Sequence, residues 1–196
     1  MKLSDPKETL RSYLQEGRDA LLWKLDGLSE YDVRRPLTPT GSNLLGLVKH
    51  NAGVEMGYFG LVFGRPVPDA PAWMEQHDVP NIDMWATPEE SREEIVDLYR
   101  RAWAHSDTTI TELTLESTGQ VPWWGGNGAV NLHRILVHVA TETHRHAGHA
   151  DILREQVDGA VGLRSAGDNL PEQEKEWWAQ YRDRVEAAAR AAADRA

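Results

Sequence analysis

The sequence predicts an all-α protein with four core helices in a bundle and an additional C-terminal helix. Apolar residues recur at helical spacing through several long segments, and most of these segments begin with residues that favour helix capping. Nowhere do apolar and polar residues alternate for long enough to predict a sheet. The chain has 196 residues, the length of one domain, so residues 1–196 are predicted to form a single domain.

The first predicted helix has a clear beginning and a clear end. Asp5 can cap it, and Pro6 suits the first helical position. Leucines then recur at helical spacing as far as Leu28. Proline, threonine and glycine in residues 34–41 predict the loop that follows.

The second predicted helix, from Ser42 to about Phe63, is rich in glycine. An α-helix turns by about 100° per residue, so four glycines of this segment share one face. These are Gly46, Gly53, Gly57 and Gly60. Each glycine costs about 1 kcal/mol relative to alanine inside a helix. We therefore expect this face to border either a closely packed helix or a cavity. His50 lies on the same face.

Capping residues also place the later helices. Thr87 and Glu90 form a capping pattern that predicts the start of the third helix. The fourth helix is predicted over about 131–157, with Gly159 as its stop. After another loop, a last helix is predicted from about Pro171 into the Ala- and Arg-rich C-terminal segment.

Composition excludes several classes of function. The formal net charge is −10, which disfavours binding to the phosphate backbone of a nucleic acid. We expect a cytoplasmic protein that binds no membrane, because the sequence has neither a long apolar run nor a pattern typical of a secretion signal. Cysteine is absent, so disulfides, a cysteine nucleophile and thiolate ligands are excluded. Any thiol chemistry must use a thiol from outside the chain.

The fourth helix places a polar stripe on its apolar face. Glu142 and His146 are one turn apart, on the side of Ile135 and Leu153. Buried ionisable groups are costly unless they are paired or bind a metal. The spacing suits chelation of one ion, with His50 as the third ligand. Three protein ligands with an open position are typical of a catalytic metal site, although the same spacing also occurs in surface ion pairs.

Other residues near this stripe are candidates for a substrate pocket. His138 precedes Glu142 by one turn and is a group that supports a metal ligand, a proton carrier in the pocket or a satisfied core histidine. His149 is a second candidate on the same stripe. Trp123 either lines the mouth of the pocket or caps the end of the bundle. Arg154 falls on the opposite face and is interpreted as a surface ion-pair residue.

Three segments of the sequence resemble the DinB / YfiT-like superfamily, and in particular its DUF664 branch. They are GLVKHNAGVEMGYFG (46–60), VPWWGGNG (121–128) and LVHVATETHRHAGHADILREQVDGAVG (136–162), in the expected order. The resemblance covers roughly residues 10–162. It implies an up-down-down-up four-helix bundle, often a homodimer, with a divalent metal held by three side chains.

The resemblance also assigns the metal ligands. His50 matches the first ligand and His146 matches the last. The middle ligand falls on Glu142, where many relatives have histidine. The mycothiol-dependent maleylpyruvate isomerases are similar to this sequence in having a carboxylate there. The expected metal is zinc, with nickel as the alternative.

The function that the resemblance implies is thiol chemistry on a small-molecule substrate. Characterised relatives include S-transferases and isomerases that use a low-molecular-weight thiol such as mycothiol. A thiol with a free pKa of about 8.5 is mostly protonated at neutral pH, and a divalent metal deprotonates it. Two alternatives stay open: a metal-dependent hydrolase that uses water at the open position, and a non-enzymatic metal- or ligand-binding protein linked to stress.

Overall fold

The computed structural model describes residues 5–76 and 78–195, and helices account for 63% of the chain. The helices are α1 (Pro6–Trp23), α2 (Glu30–Arg34), α3 (Leu44–Glu55), α4 (Arg92–Glu112), α5 (Leu132–Asp158) and α6 (Lys175–Ala193). Two short strands, β1 (Thr118–Gln120) and β2 (Ala129–Asn131), pair antiparallel. The mainly helical class that the sequence predicts is therefore confirmed.

The core lies where α1 packs along α5 and where α3 packs against both α4 and α5. Leu14, Leu45, Tyr99 and Leu136 are fully buried there. Because α3 touches both α4 and α5, side chains on its α5-facing surface come close to the polar stripe of α5. Among the residues that the structure describes, no helix has both the length and the apolar content to span a membrane.

The first helix begins as predicted but ends earlier. The side chain of Asp5 accepts hydrogen bonds at the start of α1, with Pro6 in the first turn. The helix stops at Trp23 rather than at Leu28, and the chain turns before α2 begins. Gly27 has a φ of +73° in this turn, a backbone conformation that glycine adopts readily.

Arg154 contacts the turn that follows the end of α1. Its predicted surface position is wrong. Its side chain is only 7% exposed and donates to the carbonyl oxygens of Lys24 and Asp26 at 2.9 and 2.8 Å. It also pairs with Asp158 at 2.8 Å, so the prediction of an ion pair is correct. The carbonyl groups of Lys24 and Asp26, just beyond α1, thus gain charged hydrogen-bond donors from α5.

The second helix extends to Phe63 as predicted, but its winding changes on the way. After α3, residues Met56–Gly60 form one turn of π-helix and Leu61–Phe63 form a 3-10 turn. Single π-turns inside α-helices are frequent at functional sites. The side chains of this turn are therefore candidates for the site.

The third helix begins later than its first capping pattern predicts. It starts at Arg92, where Ser91 and Glu94 form a complete capping box. The carboxylate of Glu90 does accept from the backbone of Thr87 at 2.8 Å, but it also pairs with Lys49 of α3 at 2.9 Å. The earlier pattern therefore closes a turn that is tied to α3 instead of starting a helix.

The fourth helix agrees closely with its prediction, and the last one begins later than expected. Asn131 caps α5, and Gly159 ends it with a φ of +77°. The final helix begins at Lys175 rather than at Pro171, and none of its side chains is buried. The two strands before α5 are missed because three residues are too few to show an alternating pattern.

Gly46 lies at a close approach between α3 and the loop before α4. A Cβ atom at this position would lie 1.9 Å from the carbonyl oxygen of Met84. Gly46→Ala is therefore expected to lower the free energy of unfolding by about 1–3 kcal/mol, because the loop must move away. Gly148→Ala is the matched control, since its methyl group meets no atom within 4 Å and should stabilise α5 by about 0.4–1 kcal/mol. Urea denaturation measures both, and equal effects would contradict the close approach.

Candidate metal centre

Three predicted ligands come together where α3 faces α5. Glu142 and His146 lie one turn apart on α5, and His146 Nε2 is 3.0 Å from Glu142 Oε1. His50 of α3 places its Nε2 3.8 Å from the same carboxylate oxygen. One potential ligand atom from each side chain lies within 4.8 Å of the others. The geometry is compatible with the predicted set of ligands.

Asp83 holds the ring of His50 from the other side. Its Oδ2 lies 2.7 Å from His50 Nδ1, where the carboxylate can accept an Nδ1–H, and the Nε2 of the same ring faces Glu142. Carboxylates in this position orient histidine ligands in metal sites and raise their basicity. Sequence analysis missed Asp83, because it lies in an irregular loop where no periodicity relates it to His50. Its only sequence signal is the Pro- and Asp-rich composition of that loop.

His146 also turns its Nε2 toward Glu142, at 3.0 Å from Oε1, while its Nδ1 lies 3.4 Å from Nδ1 of His149. His146 is buried, and an ionised Glu142 accepts the hydrogen of this Nε2, which a bound metal ion would replace. The rings of His50 and His146 lie edge to face, with centroids 4.8 Å apart. Both histidines therefore present Nε2 to one carboxylate.

The electrostatics favour the protonation states that metal binding requires. Burial raises the pKa of Glu142, but the rings of His146 and His50 outweigh it, and the pKa of the carboxyl lies below its ordinary value. Burial lowers the pKa of His146, and the nearby His50 lowers it further. The hydrogen bond with His50 lowers the pKa of Asp83. At neutral pH the carboxylates are thus ionised and His146 is neutral, which is the state of metal ligands.

The donor set fits a divalent ion of the zinc type. Two imidazoles and one carboxylate match the ligands of catalytic zinc sites, which keep a fourth position for water or substrate. Bonds of about 2.0–2.2 Å to a tetrahedral ion place ligand atoms roughly 3.4 Å apart. The distances from Glu142 Oε1 to His146 Nε2 and to His50 Nε2, 3.0 and 3.8 Å, lie on either side of that value.

A cavity of about 540 Å³ opens beside these ligands. His50 and Glu142 border it, and so do two predicted pocket residues, His138 and Trp123. The volume is within the range of small-molecule sites. His149 does not border this cavity but contacts His146, so its pocket role stays a prediction without support from the lining.

The glycine face of the second predicted helix borders this cavity and the indole rings around it. A Cβ on Gly53 would lie 3.0 Å from the ring of Trp73, and one on Gly57 would lie 3.4 Å from the ring of Trp123. At Gly53 and Gly57 the structure therefore has the cavity predicted for this face, whereas Gly46 lies close to the loop before α4.

Tyr58, in the π-turn, is a cavity residue that sequence analysis missed. Its hydroxyl oxygen accepts a hydrogen bond from the Nε1 of Trp123 and another from the Nε1 of Trp124, each at 3.2 Å. Its ring also packs edge to face on His138, with centroids 4.7 Å apart. A regular helical repeat gives no indication of this residue, because the π-turn changes the direction in which side chains point.

Asp83→Asn is expected to weaken the binding of divalent zinc by about 10–100-fold. The amide lacks the charge that orients His50 and raises its basicity, while it keeps the shape of the side chain. Competition with a chromophoric chelator measures the affinity. Asp78→Asn in the same loop is the control, because Asp78 is exposed and is not among the residues that border the cavity. Equal affinities in wild type and Asp83→Asn would contradict the orienting role.

The fold and the site together define a class of protein: mainly helical, with a small-molecule cavity beside side chains that can chelate a divalent ion. Within that class, this chain belongs to the mycothiol-S-transferase family, whose sequence model matches residues 9–159. This is a DinB/YfiT-like family, so the resemblance found in the sequence is confirmed. None of the curated proteins matches the chain.

Proposed function

We propose that this protein is a metal-dependent S-transferase or isomerase that uses a low-molecular-weight thiol, such as mycothiol, to act on a small electrophilic substrate. The observation that supports it most is the cluster of His50, Glu142 and His146 at the wall of a cavity. Membership of the mycothiol-S-transferase family supports the thiol and the transfer reaction. The proposed metal is zinc, with nickel as the alternative.

Each side chain has a defined part in this proposal. His50, Glu142 and His146 hold the ion, and Asp83 fixes the tautomer and orientation of His50. A bound divalent ion supplies positive charge that lowers the pKa of a thiol brought beside it. Burial lowers the pKa of His138, so its imidazole is neutral at neutral pH and can accept the thiol proton from the cavity wall.

The thiol must enter from outside, because the chain has no cysteine. The cavity beside the ligands provides the space in which a thiol and an electrophile can meet.

An up-down-down-up bundle order and a homodimer are parts of the same proposal. Exposed aromatic and apolar residues on α6, such as Tyr181 and Val185, are compatible with a dimer surface. A monomer mass in sedimentation equilibrium would contradict the dimer.

The test is turnover of a generic electrophile, 1-chloro-2,4-dinitrobenzene, with and without mycothiol. The proposal predicts thiol-dependent product formation that a chelator abolishes and zinc restores. His50→Ala/His146→Ala should show only the uncatalysed rate. Metal-dependent consumption of ester substrates without any thiol would support the hydrolase instead. Metal binding without turnover of either kind would support the non-enzymatic alternative.

A further inference from the structure

The hydroxyl group of Tyr58 accepts hydrogen bonds from two neighbouring side chains but can still donate one. An indole N–H can only donate, so Trp123 and Trp124 both use acceptor positions of the phenol oxygen. A phenol hydroxyl has two acceptor positions and one hydrogen. Within residues 5–76 and 78–195, the hydroxyl group of Tyr58 forms these two hydrogen bonds alone, and both leave its own hydrogen without an acceptor.

The ring of Tyr58 is also held in place. It packs against the rings of Trp123, Trp124 and His138, with centroids 5.2, 5.8 and 4.7 Å away. A donor that neighbouring side chains hold in one orientation binds an acceptor with little loss of conformational entropy. Since Tyr58 borders the cavity, a ligand inside it is the natural acceptor for this hydrogen.

The rest of the cavity wall indicates an uncharged ligand. Trp73, Met74 and Ile82 contribute aromatic and apolar surface. Among the described residues that border the cavity there is no lysine or arginine, whereas Asp83 and Glu142 contribute carboxylates. No basic side chain of this lining could pair with a negatively charged ligand, so only the proposed metal ion could do so, whereas a neutral aromatic body would gain apolar contacts from the wall itself.

We propose that this cavity binds the electrophilic substrate as an uncharged carbonyl compound with an aromatic or apolar body, and that the Tyr58 hydroxyl donates its hydrogen to the carbonyl oxygen. The inference rests on the proposed function for the reaction that follows. Its binding part depends on neither the metal nor the thiol.

An α,β-unsaturated carbonyl compound illustrates why a donor at this position helps thiol addition. The sulfur forms a bond to the β-carbon, the electron pair of the C=C bond moves toward the carbonyl oxygen, and the thiol hydrogen ends on the α-carbon. No oxidant or leaving group is needed. Negative charge develops on the carbonyl oxygen during the addition, and a donor already aimed at that oxygen stabilises the charge.

The test compares two ligands of nearly the same shape, acetophenone and α-methylstyrene, in which C=CH₂ replaces C=O. Ligand-observed NMR titration gives a Kd for each with wild type, Tyr58→Phe and the control Tyr31→Phe. Tyr58→Phe should shift the ratio of the two Kd values by about three- to tenfold in favour of α-methylstyrene, because phenylalanine cannot donate. Tyr31→Phe should leave the ratio unchanged, since Tyr31 is exposed and is not among the residues that border the cavity.

Two further measurements make the result decisive. The carbonyl stretching frequency of ¹³C-labelled acetophenone bound to wild type should lie below its value in an apolar solvent. An unshifted frequency would overturn the proposal. This measurement uses wild type alone, so it holds even if Tyr58→Phe fails to fold. The titrations are repeated after chelation, where the effect of Tyr58 should persist. An unchanged ratio in Tyr58→Phe, or no binding of acetophenone, would also overturn the proposal. Failure of thiol transfer would count against the proposed function alone, because these binding measurements involve no thiol.

Discussion

His146→Ala is expected to abolish measurable binding of divalent zinc, with a loss well above the roughly 10–100-fold effect of changing a residue that only orients a ligand. The reason is that His146 would supply one of the three grouped ligand atoms, so its loss leaves only two protein ligands for the ion. The affinity is measured by competition with a chromophoric chelator, and the fold of the variant is checked by circular dichroism.

His138→Ala is the matched comparison for this prediction. His138 lies on the same helix and borders the same cavity, but it is not among the three grouped ligands. We expect its replacement to reduce zinc affinity by no more than about 10–100-fold. Equal and complete loss of zinc in both variants would mean that the wrong histidine has been assigned as the ligand.

Arg18→Met is expected to lower the free energy of unfolding by about 3–5 kcal/mol. Arg18 donates to both carboxylate oxygens of Glu55, at 2.7 and 2.6 Å, and both side chains are 0% exposed. Removal of the guanidinium leaves a buried carboxylate without its charge partner. Urea denaturation measures the loss, which is a large share of the roughly 5–15 kcal/mol that stabilises a typical domain.

The double variant Arg18→Met/Glu55→Met separates the unpaired charge from a general packing defect. With both charges gone, stability should return to near the wild-type value, since apolar replacements of buried ion pairs are often neutral or stabilising. A double variant at least as unstable as Arg18→Met alone would show that packing, not the buried charge, determines the loss.

The helices could be predicted because their signals are local. Asp5 and Pro6 at the start of α1 and Asn131 and Gly159 at the ends of α5 act within one turn of the residues that they cap. The predicted start of α4 is wrong because two capping patterns lie close together before this helix. Only the contact between Glu90 and Lys49 of α3 shows that the earlier pattern serves a turn.

Part of the candidate site can also be predicted from local signals in the sequence. Helical spacing alone brings Glu142 and His146 together, and the glycine face of α3 indicated the side from which His50 approaches. Asp83 and Tyr58 were not predictable in this way. The position of Asp83 depends on the path of an irregular loop, and the position of Tyr58 depends on a π-turn that a regular helical repeat does not predict.

The buried position of Arg18 has a signal in the sequence. Arg18 lies between Leu14 and Leu21 at helical spacing, so it falls on the apolar face of α1. A charged residue at such a position requires a buried partner. The sequence could not identify Glu55 as that partner, because the contact joins two helices that are distant along the chain.

Thermal unfolding with and without zinc tests the central claim most directly, because a metal that binds only the native state must stabilise it. Chelator-treated wild type is melted in the absence of metal and with free zinc at a hundredfold excess over Kd. We predict a gain of about 2.7 kcal/mol, which corresponds to a Tm increase of about 5–11 °C for a chain of this length. His50→Ala/His146→Ala should melt at the same temperature in both conditions. An unchanged wild-type Tm, or an equal shift in the double variant, would contradict a metal site formed by His50, Glu142 and His146.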